Sequence, residues 1–90
     1  MYSIKVTSRF KKDLKQMHKR GYNIKLLDEV INKLVKGEKL PVKNRDHSLT
    51  GNWVNHRECH VTPDWLLIYK VEADILVLTL TRTGSHSDLL

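Results

Sequence analysis

A nearly continuous apolar run, WLLIYKV at positions 65–71, constrains the fold of this chain more than any other segment. A strand that is apolar on both faces is typical of the centre of a sheet that is covered on both sides. Strand-like segments flank the run at 53–61 and 75–82, and short turns at 62–64 and 72–74 separate them from it. The sequence therefore predicts a three-stranded antiparallel meander with the apolar run in its middle.

Two amphipathic segments precede the meander. Apolar residues recur at helical spacing over about 8–20, and Gly21 follows them as a residue that tolerates a left-handed backbone. The same spacing continues over 24–35 and ends at Gly37. Because the connection between the two helices is short, they should pack antiparallel and cover one face of the sheet. Alternating residues at 2–6 predict a short first strand.

The predicted element order is strand, helix, helix, strand, strand, strand. This order describes a single α+β domain over residues 1–90, with the two N-terminal helices packed on one side of an antiparallel sheet. No segment approaches the roughly 20 apolar residues of a membrane span, and no signal peptide is evident. With a single cysteine, Cys59, these features predict a cytoplasmic protein that makes no contact with a membrane.

Charge is divided unevenly along the chain. Residues 1–45 hold thirteen Lys and Arg against four Asp and Glu, whereas residues 46–90 hold three against six and four of the five histidines. This division favours attraction of a polyanion by the first half and titratable chemistry in the second, as an enzyme that acts on nucleic acid requires. The alternative is that the lysines simply solvate two helices. Those on the first helix are Lys11, Lys12, Lys15 and Lys19.

Side chains suited to cutting RNA lie in loops and at the predicted ends of strands. Metal-free cleavage uses the RNA 2′-OH as nucleophile, and it needs a general base, a general acid and a fixed cation beside the scissile phosphate. Histidine suits the first two roles and arginine the third. The candidates are His47, His60, Asp64, Arg82 and His86. A meander brings the exit of its third strand near its first turn, so His60, Asp64 and Arg82 should share one end of the sheet.

Each of these candidates also has a structural explanation. Asp64 follows Pro63 and is a common type of turn residue, and Arg82 is equally compatible with a surface ion pair. A zinc site is the rival use for Cys59 and the histidines. However, Cys59 and His60 are neighbours in a predicted strand and should point to opposite faces. We therefore expect no metal and no other cofactor.

Three segments resemble the YafQ branch of the RelE toxin superfamily: DHSLTGNW at 46–53, RECHVTPDWLLIY at 57–69 and LTRTGSHSDLL at 80–90. The lysine-rich helices match in order and length, so the resemblance covers essentially the whole chain. It implies a type II toxin that cleaves messenger RNA on the ribosome, with two helices packed on an antiparallel sheet. It also implies a cognate antitoxin of DinJ or RelB type, through which the complex would bind operator DNA.

The resemblance also implies roles for single residues. It places four residues in the catalytic group, namely His47, His60, Asp64 and His86, of which His86 is the general acid. Either His60 or Asp64 would then be the base. Arg82 corresponds to the arginine that binds the phosphate.

Substrate contacts are implied as well. Trp65 corresponds to a residue that lines the site, and Arg57 lies in the same motif, where it could contact substrate or form a structural pair. The lysines of the first helix would dock ribosomal RNA. Family members often end in an aromatic residue near the site, whereas this chain ends in Leu89 and Leu90, and leucine stacks less well on a base.

Two other functions fit the same residues. A toxin of the same fold could poison DNA gyrase without nuclease chemistry, and a basic module could bind RNA without cutting it. The collected histidines and Asp64 argue against the first, because a binder needs no set of proton-transfer groups. The small size and the lack of an RNA-recognition motif argue against the second. The codon preference does not follow from these residues.

Overall fold

A five-stranded sheet and two long helices account for most of residues 1–89, which the computed structural model describes. The elements are β1 (Ser3–Val6), α1 (Ser8–Lys19), α2 (Ile24–Val35), β2 (His47–Ser48), β3 (Arg57–Thr62), β4 (Trp65–Glu72), β5 (Val77–Ser85) and α3 (His86–Leu89). Two single 3₁₀ turns, Val42–Asn44 and Gly51–Trp53, lie in the segment between α2 and β3. The expectation for Leu90 concerns a residue outside the described range.

The strand order in the sheet is β1-β5-β4-β3-β2. Strands β3, β4 and β5 form the predicted antiparallel meander, in which Leu67 of β4 lies between Cys59 of β3 and Thr83 of β5. Strand β1 instead pairs with β5 in parallel, with Ile4 opposite Leu78. The sheet is therefore mixed rather than wholly antiparallel. A hairpin would make two strands antiparallel, but β1 and β5 are far apart in the chain and are not joined by one. The path of the intervening helices and strands therefore decides the direction of this pairing.

A polar side chain caps the start of each long helix. The side chain of Thr7 accepts a hydrogen bond of 2.9 Å from the backbone N–H of Phe10, and Asn23 does the same for Lys25 at 3.2 Å. Between the helices, Gly21 has a φ of +81°, a conformation that glycine adopts without a steric penalty. The apolar residues that the helices bury are Phe10, Met17, Leu27, Val30 and Leu34.

Strand β4 is covered on both faces, as its sequence predicts. Trp65, Leu67 and Tyr69 belong to the core that the two helices cover, whereas Leu66 and Ile68 are equally buried but lie outside that core. Since successive residues of a strand point to opposite faces, the side chains of Leu66 and Ile68 point away from the helices, to the other side of the sheet. The sheet therefore has a helix face and an opposite face, which we call the open face.

Two of the predicted strand ends differ from the observed ones by three residues or more. The first strand of the meander begins at Arg57 rather than at Trp53, which lies in a 3₁₀ turn. The last strand continues to Ser85 rather than ending at Arg82. The extension is stabilised by α1, which runs past β5 beyond the end of β1. There the Asp13 carboxylate accepts a hydrogen bond of 3.1 Å from the N–H of Thr83.

Both long helices have 12 residues, and no helix within residues 1–89 is long and apolar enough to cross a membrane.

Candidate active site

The open face of the sheet carries the candidate catalytic residues. His47 of β2 lies opposite Glu58 of β3, and Glu58 lies opposite Ile68 of β4. Ile68 in turn lies opposite Arg82 of β5. Because directly opposed residues share a face, these residues form one row across the sheet. His60 lies on the same face, two positions along β3 from Glu58.

Glu58 is the residue that the sequence analysis missed. It is only 5% exposed, and its Oε1 lies 3.6 Å from Nε2 of His47 and 3.8 Å from Nε2 of His60. A carboxylate is seldom this buried unless it is paired. In the sequence it occupies an ordinary polar position of a strand. The available signal was its spacing of two from His60, which places both side chains on one face.

Backbone carbonyls orient the two imidazoles beside Glu58. Nδ1 of His47 lies 2.7 Å from the carbonyl oxygen of Arg45, and Nδ1 of His60 lies 3.3 Å from that of Pro63. A carbonyl oxygen only accepts, so Nδ1 is the donor in both rings. Nε2, which faces Glu58, is therefore the nitrogen that is left able to accept a proton.

His86 and Asp64 form the second half of the site. Nδ1 of His86 lies 2.8 Å from Oδ1 of Asp64, which also accepts the backbone N–H of His86 at 3.3 Å. These two hydrogen bonds hold the pKa of Asp64 below its ordinary value. The His86 ring lies edge-on to the His60 ring, with 5.6 Å between the centroids. The structure thus brings His60 and Asp64 together at one end of the sheet, as the meander predicts, and His86 joins them there.

Arg82 lies farther from that end than expected, because β5 continues for three residues beyond it. Its guanidinium is held by Asp13 of α1 through Nε at 2.8 Å and Nη2 at 3.0 Å. The hydrogen bonds to Asp13 raise the pKa of Arg82, and the side chain is 16% exposed. Asp13 does not engage Nη1. Arg82 is therefore a fixed cation on the open face.

Trp65 does not line the site, contrary to expectation. It has no exposed surface and lies on the helix face, where its ring packs edge-on against Tyr22 with 5.2 Å between centroids. Its Nε1 donates a hydrogen bond of 2.8 Å to Oγ1 of Thr83. The alternation of β4 decides this, because the residue that faces the site next to Trp65 is Leu66. In this conformation Trp65 supports the sheet and is out of reach of a substrate.

Arg57 forms the structural pair that the sequence left open. Its Nη2 lies 3.1 Å from Oδ2 of Asp46, and hydrogen bonds to this carboxylate raise the pKa of Arg57. Asp46 also accepts a hydrogen bond from the hydroxyl of Tyr69, whose pKa is raised first by burial and then by Asp46. These contacts with Arg57 and Tyr69 hold Asp46, the residue that precedes His47, and so help to position that imidazole beside Glu58.

The lysines of α1 are exposed, as predicted: Lys11, Lys12, Lys15 and Lys19. Three of them are spaced by four residues and so form one ridge along the helix. Arg20, which follows Lys19, contacts Asp88 of α3. The basic ridge therefore ends beside the short helix that carries His86.

Within residues 1–89, no group of three or more His, Cys, Asp and Glu side chains is arranged to hold a metal ion. Cys59 is completely buried on the helix face, and burial raises the pKa of its thiol to about 12. Because Cys59 has no exposed surface and its raised pKa favours the protonated thiol, it is not placed to attack a substrate.

Residues 2–90 match the family model described as a bacterial toxin of a type II toxin–antitoxin system, YafQ. The chain belongs to the YafQ toxin family. It is 36% identical over 87 residues to the mRNA interferase toxin YafQ of Escherichia coli K12, which covers 96% of this chain and 92% of the relative.

Two solved structures have the same fold. The metal-bound toxin from Helicobacter pylori matches with a TM-score of 0.93 and 41% identity, and all of both chains are covered. A chain of the E. coli DinJ–YafQ complex matches with a TM-score of 0.92 and 34% identity, covering 100% of this chain and 99% of that one. The predicted family, α+β fold and toxin class are thereby confirmed.

Proposed function

We propose that this YafQ-family toxin is an endoribonuclease that cleaves messenger RNA on the ribosome, in the cytoplasm, by acid–base catalysis without a metal or other cofactor. The observation that carries the proposal is the cluster on the open face. Two imidazoles flank one buried carboxylate, and a third imidazole is held nearby by Asp64. These are the groups that attack by a 2′-OH requires. The E. coli relative, named an mRNA interferase, supports the same activity.

His60, backed by Glu58, is the proposed general base. Asp64 was the other candidate, but its Oδ1 already accepts two hydrogen bonds from His86. Nε2 of His60 accepts the proton of the 2′-OH, whose oxygen then attacks the adjacent phosphorus. The buried Glu58 stabilises the imidazolium that results, because the two are close in a site of low dielectric constant.

His86 is the proposed general acid. When its imidazole is doubly protonated, Nδ1 donates to Asp64 and Nε2 is available to the leaving group. Nε2 donates its proton to the 5′-oxygen as the bond from phosphorus to that oxygen breaks. The products are a 2′,3′-cyclic phosphate and a 5′-hydroxyl. Asp64 orients the ring and stabilises its charge, as the aspartate of a catalytic triad does for its histidine.

Arg82 and His47 are proposed to stabilise the phosphate in the transition state. Asp13 fixes the orientation of the Arg82 guanidinium before substrate arrives, so no reorganisation is needed when charge develops. A protonated His47 would add a second cation in the same row of the sheet.

The single domain over residues 1–90 is proposed to use its two halves separately. The lysine ridge of α1 docks ribosomal RNA, and the open face cuts the message. The proposed partner is an antitoxin of DinJ or RelB type, acidic where it covers these surfaces, and operator DNA is bound only through that complex. The solved DinJ–YafQ complex of E. coli supports this assignment.

The experiment that tests the function is cleavage of a defined message on programmed ribosomes, with and without phenanthroline, a chelator of transition-metal ions that spares the Mg²⁺ on which the ribosome depends. The parent should cut in the presence of the chelator and only when ribosomes are present. His86→Ala should lower the rate by roughly 10²–10⁴-fold, the usual contribution of positioned acid–base catalysis. The control is His56→Ala, since His56 packs on Trp53 in a loop outside the cluster and should be dispensable.

Other outcomes would support the competing functions. A message that stays intact while DNA breaks accumulate would favour a gyrase poison. A message that stays intact and is bound with a steep salt dependence would favour a simple RNA-binding module. Cleavage that phenanthroline abolishes on intact ribosomes would contradict the metal-free mechanism.

A further inference from the structure

The proposed general acid sits on a single helical turn at the end of the described chain, His86–Leu89. One turn of helix is not stable alone in water, because nucleation costs more than its few hydrogen bonds return. The position of His86 therefore depends on contacts that this turn makes with the rest of the molecule. Besides the pair with Asp64, the turn is held by a contact of 3.1 Å between the hydroxyls of Ser85 and Ser87, and its other side-chain hydrogen bonds converge on Asp88.

The Asp88 carboxylate joins the end of α1 to the end of β5. Its Oδ2 lies 2.7 Å from Nη1 of Arg20, and its Oδ1 lies 3.1 Å from Nη2 of the same guanidinium. Oδ2 also accepts the backbone N–H of Ser85 at 2.9 Å, while Oγ of Ser85 accepts the N–H of Asp88 at 3.3 Å. An ion pair with two hydrogen bonds fixes the relative orientation of the two side chains as well as the distance between them.

Gly84 provides an independent sign that Asp88 is held closely. A Cβ atom added at Gly84 would lie 3.0 Å from Cβ of Asp88 and 3.1 Å from its Oδ2. The backbone of Gly84 is not in the left-handed region, so the constraint is space rather than conformation. The turn that carries His86 packs so closely against β5 that a larger residue at position 84 would require Asp88 to shift.

The pair between Asp88 and Arg20 is charged at neutral pH. Hydrogen bonds from Arg20, with those from Ser85, hold the pKa of Asp88 well below its ordinary value, and the same pair raises the pKa of Arg20. The ionic form that makes the contact is therefore the form present in the cell.

We infer that Arg20, Gly84 and Asp88 form a latch that holds the turn of His86 against Asp64. They are positioning residues and touch neither substrate nor reacting atoms. The inference rests on the proposed function in one respect, namely that His86 is the proton donor. The latch also connects the donor to α1, the helix proposed to dock ribosomal RNA.

The first test uses the free toxin and needs no cleavage. In Asp88→Asn the latch opens and His86 leaves Asp64, so the pKa of Asp64 should rise toward its ordinary value in a carbon-detected NMR titration. Loss of the Asp88 charge acts in the opposite direction, but it is a smaller influence on Asp64 than the hydrogen bonds from His86. The nuclear Overhauser effect between the rings of His60 and His86 should weaken. Arg20→Ala should shift both signals in the same way. Arg20→Lys keeps the positive charge but cannot make the two parallel hydrogen bonds, so its shifts should lie between those of the parent and of Arg20→Ala.

Two further variants make the NMR test specific. Gly84→Ala leaves every charge in place but crowds Asp88, so it should shift the same two signals. Glu72→Gln is the control, because it removes a surface ion pair with Lys70, 3.9 Å long, away from the latch. It should leave both signals unchanged.

The second test is cleavage on programmed ribosomes. Asp88→Asn should lower kcat by about 10- to 100-fold with little change in KM, since a misplaced proton donor slows chemistry without weakening substrate binding. A role in stability alone would instead lower the urea midpoint and leave the Asp64 signal of the folded protein as in the parent.

Two results would overturn the latch. One is an unchanged Asp64 pKa and ring-to-ring signal in both Asp88→Asn and Gly84→Ala. The other is a shift of these signals with no change in kcat in a toxin whose parent cuts the message. If the parent leaves the message intact, the proposed function fails while the NMR measurements still decide whether the latch positions His86.

Discussion

The two faces of β4 are equally buried and yet have different roles. Trp65, Leu67 and Tyr69 pack under the helices, whereas Leu66 and Ile68 lie on the open face beside the candidate catalytic groups. The first set is covered by apolar side chains. The second lies beside Glu58 and Arg82, whose charged side chains are themselves largely shielded from solvent. The alternation of a single strand thus separates the residues that hold the fold from those that support the chemistry.

On the open face, an apolar residue keeps the charged groups of the candidate site apart. Ile68 lies between Glu58 and Arg82 in one row of the sheet, so a buried apolar residue separates the carboxylate from the guanidinium. Without that spacer the two could pair with each other. Instead, Arg82 pairs with Asp13 and Glu58 lies near the imidazoles of the site. A shift of one residue in the register would exchange the faces and destroy both arrangements.

The largest effect should come from the carboxylate of the open face. Glu58→Gln keeps the shape of the side chain but cannot stabilise an imidazolium or hold a proton. Cleavage on programmed ribosomes should fall by about 100-fold or more, within the range of acid–base catalysis. The urea midpoint should change little. Cleavage at the rate of the parent would remove Glu58 from the mechanism, and Glu72→Gln provides the control for loss of a carboxylate.

Substitution of two neighbouring leucines, one on each face of β4, tests the roles of the two faces separately. Leu67→Ala on the helix face should lower the free energy of unfolding by about 2–5 kcal/mol, while the folded fraction keeps its cleavage rate. Leu66→Ala should cost a similar amount and also slow cleavage, because Leu66 lies opposite His60. Urea unfolding and cleavage below the transition measure both quantities. Equal cleavage by the two variants would contradict the division between faces.

A substitution of Trp65 tests whether this residue contributes to stability alone or also to cleavage. Trp65→Phe removes the hydrogen bond to Oγ1 of Thr83, so unfolding should become easier by about 1–3 kcal/mol. Cleavage per folded molecule should stay the same, because the ring has no exposed surface. A cleavage rate that falls while stability holds would mean that the ring contacts substrate, as the family resemblance implied.

The smallest effect concerns pH. The pKa of Asp88 is depressed on folding, so this carboxylate stabilises the folded chain above its ordinary pKa of 3.8, and the contribution is lost as pH falls below that value. Solvent screens the pair, which keeps the effect small. In urea unfolding, the difference between the parent and Asp88→Asn should be constant from neutral pH to about 5. It should then shrink on further acidification, and a difference that grows in acid would contradict the sign.

Local sequence patterns accounted for much of this protein. The apolar run of β4, the caps at Thr7 and Asn23 and the stop at Gly21 each depend on neighbours within a few residues. For the same reason the meander could be predicted, and with it the meeting of His60 and Asp64. These features need only strand or helix periodicity and the geometry of a turn.

Tertiary structure decided the rest. The pairs of Arg82 with Asp13 and of Arg20 with Asp88 join residues 69 and 68 positions apart, so no local period reveals them. The parallel pairing of β1 with β5 depends on the path of two helices, and the burial of Trp65 depends on which face they cover. The sequence by itself specified which side chains alternate along each strand. Only packing determined which set faces the helices and which forms the site, because either face of β4 is apolar enough to be covered.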